Sequence, residues 1–153
     1  MKIFLNWILI FLLCSCTSKF NQAAYKELSM VEIENLDNSL AVAEVAFNIA
    51  SSLANSNKKQ YILKISCDEK FKLRSYNSPI EEGALALRFK LYKNDMLLYS
   101  SSVALEIDLP TSEDLYEGYA NKQYYIKQAY AIAAEQISTE LLLFFIKRNG
   151  QYN

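Results

Sequence analysis

Tyr61-Ile-Leu-Lys-Ile-Ser-Cys-Asp-Glu-Lys-Phe-Lys-Leu-Arg74 decides the fold class. Tyr61, Leu63, Ile65, Cys67, Phe71 and Leu73 alternate with Lys64, Ser66, Asp68, Lys70, Lys72 and Arg74, with Ile62 and Glu69 as exceptions. A period of two marks a long strand with one buried face. Leu85, Leu87, Phe89 and Leu91 repeat the pattern in a second strand, and Leu97, Tyr99, Val103, Leu105 and Ile107 in a third. All three strands turn odd-numbered residues inward, so paired residues must have position numbers with an even sum. A two-residue loop at Asn94-Asp95 would break that rule. A bulged three-residue turn at Lys93-Asn94-Asp95 keeps it and sets Phe89 opposite Tyr99.

Outside this meander the period becomes helical. Leu36, Leu40, Ala43, Phe47, Ala50 and Ala54 share one stripe of a helix over 36–54, with Asp37 and Asn38 as capping groups near its start. A second helix is expected over 121–147, stopped by Asn149-Gly150, with a small-residue waist at Ala129, Ala131, Ala133 and Ala134. Met30 to Glu34 is a short first strand. Pro79 lies in the connection between the first two meander strands, over 75–83. The expected architecture is α+β in the order β-α-β-β-β-α: an antiparallel four-stranded sheet with two helices packed on one face.

The N-terminus is of another kind. Ile3 to Leu13 is apolar except for Asn6 and follows Met1-Lys2. It is too short for a bilayer span, which needs about 20 residues, and has the length of a secretory signal core. Leu13-Cys14-Ser15-Cys16 resembles the bacterial lipobox. That resemblance implies cleavage after Ser15, a diacylglycerol thioether on Cys16 and an amide-linked third chain, a multi-chain anchor where one acyl group would not hold. The expected organisation is a signal peptide at 1–15, a lipidated N-terminus and polar tether at 16–29, one domain at 30–148 and a tail at 149–153. What remains after the signal suffices for one core.

Composition excludes several functions. There are 16 basic and 17 acidic residues, so no basic excess points to nucleic acid. The absence of histidine removes Ser-His-Asp and Cys-His catalysis and every His-containing zinc site. Gly83, Gly118 and Gly150 are the only glycines, too few for a phosphate-cradling loop. Asp108, Glu113, Asp114 and Glu117 do not match the spacing of a calcium loop. The chain reads as a non-enzyme without cofactor or metal, and Cys67 as a small buried apolar residue.

Charge is segregated. Lys58 to Lys93 holds nine basic residues (Lys58, Lys59, Lys64, Lys70, Lys72, Arg74, Arg88, Lys90, Lys93) against four acidic (Asp68, Glu69, Glu81, Glu82). Lys70, Lys72 and Arg74 share the outward face of one strand, and Arg88 and Lys90 that of its neighbour. Even-sum registers place like charges across from each other, which is destabilising unless an anion compensates. Phosphate fits, because Arg and Lys bind it by charge-assisted hydrogen bonds. The plain alternative is a solvated face whose lysines discourage edge pairing. Leu141 to Ile146 is apolar on every side, so it needs cover all round: the end of a two-helix layer, or a partner. Leu142 and Phe145, with Tyr119 and Tyr125 from a tyrosine-rich region, are the candidate partner-contact residues.

The chain resembles the LptE family, lipoproteins of the lipopolysaccharide-assembly machine of the Gram-negative outer membrane, and most closely its shorter alphaproteobacterial members. The resemblance rests on a helix leading to Tyr61-Ile-Leu-Lys-Ile65, then Ala84-Leu-Ala-Leu-Arg-Phe-Lys-Leu-Tyr92, a turn, and Leu97-Leu-Tyr-Ser-Ser-Ser-Val103. A tyrosine-rich loop reaching Tyr119-Ala120 and an alanine-studded helix ending in Leu141-Leu-Leu-Phe-Phe-Ile146 complete it. It implies a plug and assembly partner of an LptD-like β-barrel, anchored on the periplasmic face of the outer membrane and contacting lipopolysaccharide. It also implies a lipopolysaccharide-linked hairpin where Lys72 and Arg74 lie. Lys70, Lys72, Arg74, Arg88 and Lys90 are the candidate contacts for lipid A phosphates. An auxiliary lipoprotein of a lipid-transporting ABC system is the second reading. A lipid-anchored hydrolase lacks both histidine and a nucleophile motif. Thr17 is not the aspartate that commonly holds lipoproteins at the inner membrane, which favours the outer.

Overall fold

The computed structural model describes residues 22–36, 40–52, 56, 58–72, 80–110 and 115–151. The order is α1 (22–29), β1 (Val31–Asn35), α2 (Leu40–Ser52), β2 (Tyr61–Lys72), β3 (Ile80–Lys93), β4 (Met96–Pro110) and α3 (Leu115–Gln151). The four strands form one sheet in the order β1-β2-β3-β4. The α+β class and the meander are as expected, with two differences. β1 pairs with β2 in parallel, Val31 beside Tyr61 and Asn35 beside Ile65. The strands bracket a helix, and such a crossover returns the chain in the same direction where a hairpin reverses it. The second difference is α1, in the stretch expected to be tether. Ala24 and Leu28, one turn apart, enter the core, so the packed domain includes 22–29.

Among the described side chains, odd positions of β2, of β3 up to Leu91 and of β4 from Tyr99 onward face inward. Leu63, Ile65, Leu87, Phe89 and Leu91 are wholly inaccessible, and each such burial contributes about 1.5–3 kcal/mol. Cys67 is a half-buried thiol among the residues that pack on this core. The helices cover this face alone: α2 lies on β1 and β2, α3 on β4, and the two helices touch.

The parity rule holds by another device. Asn94 and Asp95 form a two-residue turn with φ of 50° and 63°, the left-handed backbone that a tight hairpin needs and that Asn and Asp tolerate. The odd residue is absorbed one step into the strands. Leu91 pairs with Tyr99 but Tyr92 with Leu97, leaving a bulge at Leu98. Phe89 accordingly faces Ser101, and Leu97, expected inside, is half exposed.

On α2 the buried stripe is Val42, Val45 and Ile49, while Ala43, Phe47 and Ala50 are exposed and Phe47 keeps 70% of its surface. The stripe read from the sequence is therefore the solvent face. Both stripes have helical spacing. Three branched side chains within two turns offer more apolar area to the core than one phenylalanine between alanines. Asp37 and Asn38 lie outside the described residues.

α3 begins at Leu115 and runs through Gly150, longer than expected at both ends. Ile126, Ala129, Ala133, Ala134, Ile137, Leu141 and Phe145 form its buried stripe, whereas Ala131 is exposed. Its length and composition would allow a membrane crossing, but that stripe is spent on the sheet and α2. The apolar run at 141–146 resolves into buried Leu141 and Phe145, partly buried Leu142, Phe144 and Ile146, and a half-exposed Leu143. Tyr99 of β4 donates to Glu140 Oε2 at 3.0 Å and stacks on Phe144 at 5.1 Å. Burial pushes the Tyr99 phenol above its ordinary range; a hydrogen bond with Ser101 opposes this and the Glu140 carboxylate adds to it.

Candidate functional site on the open sheet face

Even positions project from the uncovered face. Register sorts them into cross-strand rows: Glu34, Lys64, Lys90 and Ser100; Ser66, Arg88 and Ser102; Asp68, Ala86 and Ala104; Lys70, Ala84 and Glu106. In the first row two lysines stand directly opposite, an arrangement that repels. Lys64 resolves it by turning away. Its Nζ lies 3.2 Å from Glu34 Oε2 and 5.6 Å from the centre of the Tyr92 ring. Lys90 and its strand neighbour Arg88 are exposed, and neither forms an ion pair with the described residues. Their flanking positions carry serines, which add donors without opposing charge. A phosphate over this patch would meet two cations and hydroxyls of Ser66, Ser100 and Ser102.

The five basic residues singled out from the sequence do not make one row. Lys70 pairs with Ala84 rather than a cation, and its Nζ lies 3.7 Å from Asp68 on its own strand. The backbone of Lys72 faces Glu82. Arg88 lies four strand positions from the Lys70 row, about 13 Å. Arg74 and Cys16 lie outside the described residues. Lys64 was missed as a site residue, although its place in the alternation with Leu63 and Ile65 was visible. Only the register shows that it opposes Lys90.

The candidate partner residues divide as well. Phe145 has no accessible surface, sitting edge-on to Tyr61 at 5.1 Å, so it belongs to the chain's own core. Leu142 is half-buried and Tyr125 is 41% exposed. The Tyr119 backbone is in the first turns of α3; its side chain lies outside the description. Among the described residues no cluster of three metal-ligating side chains occurs.

No protein-family model and no curated protein sequence matches the chain. Solved structures do. A lipoprotein from Caulobacter crescentus superposes with a TM-score of 0.72 at 16% identity, covering 82% of this chain and 96% of that one. Rare lipoprotein B from Shewanella oneidensis does so with 0.56 at 9% identity, over 78% and 98% of the two chains. Lipoprotein B from Nitrosomonas europaea gives 0.55 at 16% identity, over 74% and 82%. The fold is shared; identities this low carry no more than that.

Proposed function

We propose that this chain is a lipid-anchored, non-catalytic envelope protein of LptE type, held at the periplasmic face of the outer membrane through Cys16. It serves as plug and assembly partner of an LptD-like β-barrel and presents its open sheet face to the phosphates of lipopolysaccharide. The observation that carries this reading is the asymmetry of the sheet. Two helices cover one face, while the other exposes Arg88 and Lys90 beside Lys64, neither of the two in an ion pair among the described residues. A face with unneutralised cations in adjacent rows is suited to a polyanion. The Leu13-Cys14-Ser15-Cys16 junction supports the anchoring part of the reading, and the chains that share the fold include ones described as lipoproteins.

Pull-down of the tagged chain from detergent-solubilised envelopes tests it. A large outer-membrane barrel, identified by mass, is the expected companion. Recovery of inner-membrane transport components instead would replace this reading with the auxiliary-lipoprotein one. Recovery of neither removes the partnership.

A further inference from the structure

The anchored end of the domain carries its own charge pattern. Resting on the proposed lipidation, the path from Cys16 to the first residue of α1 at Gln22 is six residue steps, at most about 20 Å when fully extended. The α1 end is thus held close to the bilayer by covalent geometry alone. Several elements meet at the other end of α1, one helix length (about 12 Å) further on. Backbone N–H groups of Gln60 and Tyr61 donate to the Met30 carbonyl, and Lys59 Nζ reaches the carbonyls of Ser29 and Val31, both at 3.3 Å. Lys93 Nζ sits 4.8 Å from the Tyr61 ring centre, just before the Asn94-Asp95 turn. The contact of Phe145 with Tyr61 brings the last turns of α3, with Lys147 and Arg148, to the same end.

Six cations therefore gather at this end: Lys26, Lys58, Lys59, Lys93, Lys147 and Arg148. The acidic groups there are Glu27, which accepts the Tyr61 hydroxyl at 3.1 Å, Asp95 in the turn and Glu32 on the edge strand. Large apolar side chains are also exposed at it: Tyr25 at 59%, Met96 at 65% and Leu97 at 50%.

We infer that this end is a membrane-docking surface, with Tyr25, Met96 and Leu97 entering the headgroup region of an anionic phospholipid leaflet and the surrounding lysines meeting its phosphates. Tether length, charge sign and exposed apolar residues converge on that occupant. Basic residues act additively within about a Debye length of an anionic surface, about 8–10 Å, a distance to which a tether of at most about 20 Å lets the domain descend. The lipid would then orient the domain as well as retain it, leaving Arg88 and Lys90 on a sheet standing out from the leaflet.

The test uses the full chain, expressed with lipoprotein processing and incorporated in phosphatidylethanolamine/phosphatidylglycerol vesicles. Trp7 is the single tryptophan and leaves with residues 1–15, so Met96→Trp or Tyr124→Trp places one indole at the docking end or far along α3. The expected result is blue-shifted emission and bromolipid quenching for Met96→Trp and neither for Tyr124→Trp. Adding Lys26→Gln, Lys58→Gln and Lys147→Gln, or moving to phosphatidylcholine vesicles, should abolish the quenching. Mass spectrometry of the same sample reads Cys16. An unmodified Cys16 defeats the anchoring reading itself. A lipidated chain whose two indoles behave alike overturns the docking surface while leaving the anchor standing. Quenching that survives in phosphatidylcholine overturns it too, because charge would then play no part.

Discussion

The rings of Tyr61 and Phe145 meet in a tilted edge-to-face contact, their centres 5.1 Å apart and their planes at 65°, tying the first residue of β2 to the last turns of α3. The Tyr61 hydroxyl donates to Glu27 of α1 at 3.1 Å and accepts from Lys93 of β3 at 3.4 Å. One buried side chain thus joins four elements, with an apolar body against the core and a polar tip at the rim.

Phe145→Ala should therefore cost about 3–5 kcal/mol, the range for a buried aromatic. Tyr61→Phe keeps the ring contact but strips partners from Glu27 and Lys93, at about 1–3 kcal/mol. Urea denaturation reads both. A Phe145→Ala cost near that of the half-exposed Leu143→Ala would show that the stack is not part of the core.

The two stripes of α2 make a second pair of expectations. Phe47→Ser should change stability by about 0.5 kcal/mol or less, as for other surface positions. Ile49→Ala should cost about 2–5 kcal/mol. Thermal melts of the two variants would reverse this ranking if the Leu36, Ala43 and Phe47 side faced the core.

The turn offers a backbone test. At φ 63°, Asp95 occupies a conformation that glycine adopts freely and a β-branched residue resists. Asp95→Val should lose about 1–2 kcal/mol, whereas Asp95→Gly should leave the melting temperature near that of the parent. Equal losses in both would mean that the turn is held by the Asp side chain rather than by its backbone.

For the open face, Arg88→Gln combined with Lys90→Gln should weaken binding to purified lipopolysaccharide by about tenfold or more, the scale of one charge-assisted hydrogen bond. Lys70→Gln, whose lysine already lies beside Asp68, should change it little. Lys72→Gln with Arg74→Gln tests the hairpin implied by family resemblance. Calorimetric titration at two salt concentrations would measure all three. Unchanged affinity in the Arg88/Lys90 double variant would refute the assignment of that patch.

Tyr99 predicts an alkaline effect of definite sign. Its phenol ionises at higher pH in the folded chain than in the unfolded one, where the ordinary value is 10.0. Its contribution is whole below that value and is lost as pH rises toward the folded one. The parent should thus lose more stability than Tyr99→Phe between about pH 9 and 11. Paired melts across that range would show parallel curves if the phenol is indifferent to folding.

Much of this was legible in one dimension. The period-two alternation of Tyr61 to Leu73 and of Leu85 to Leu91 told which strand face is buried, because parity is local. It also demanded an even-sum register, which Leu63 with Leu91 and Leu87 with Val103 obey. The two places where that reasoning erred share a cause. Two solutions satisfied the same local pattern: a longer turn or a bulge at Leu98, and one α2 stripe or the other.

Residue order alone dictated the three meander strands and which of their faces is buried, since each depends on neighbours a few positions apart, and composition alone dictated the absence of histidine chemistry. Three-dimensional packing decided that β1 runs parallel to β2, that Val42, Val45 and Ile49 rather than Phe47 go inside, and that Lys64 opposes Lys90. It also separated Lys70 from Arg88 and brought Lys59, Lys93 and Arg148 to one end. Each of these depends on how distant segments share a limited apolar surface, and the alternatives differ only in the area buried and the charges brought together.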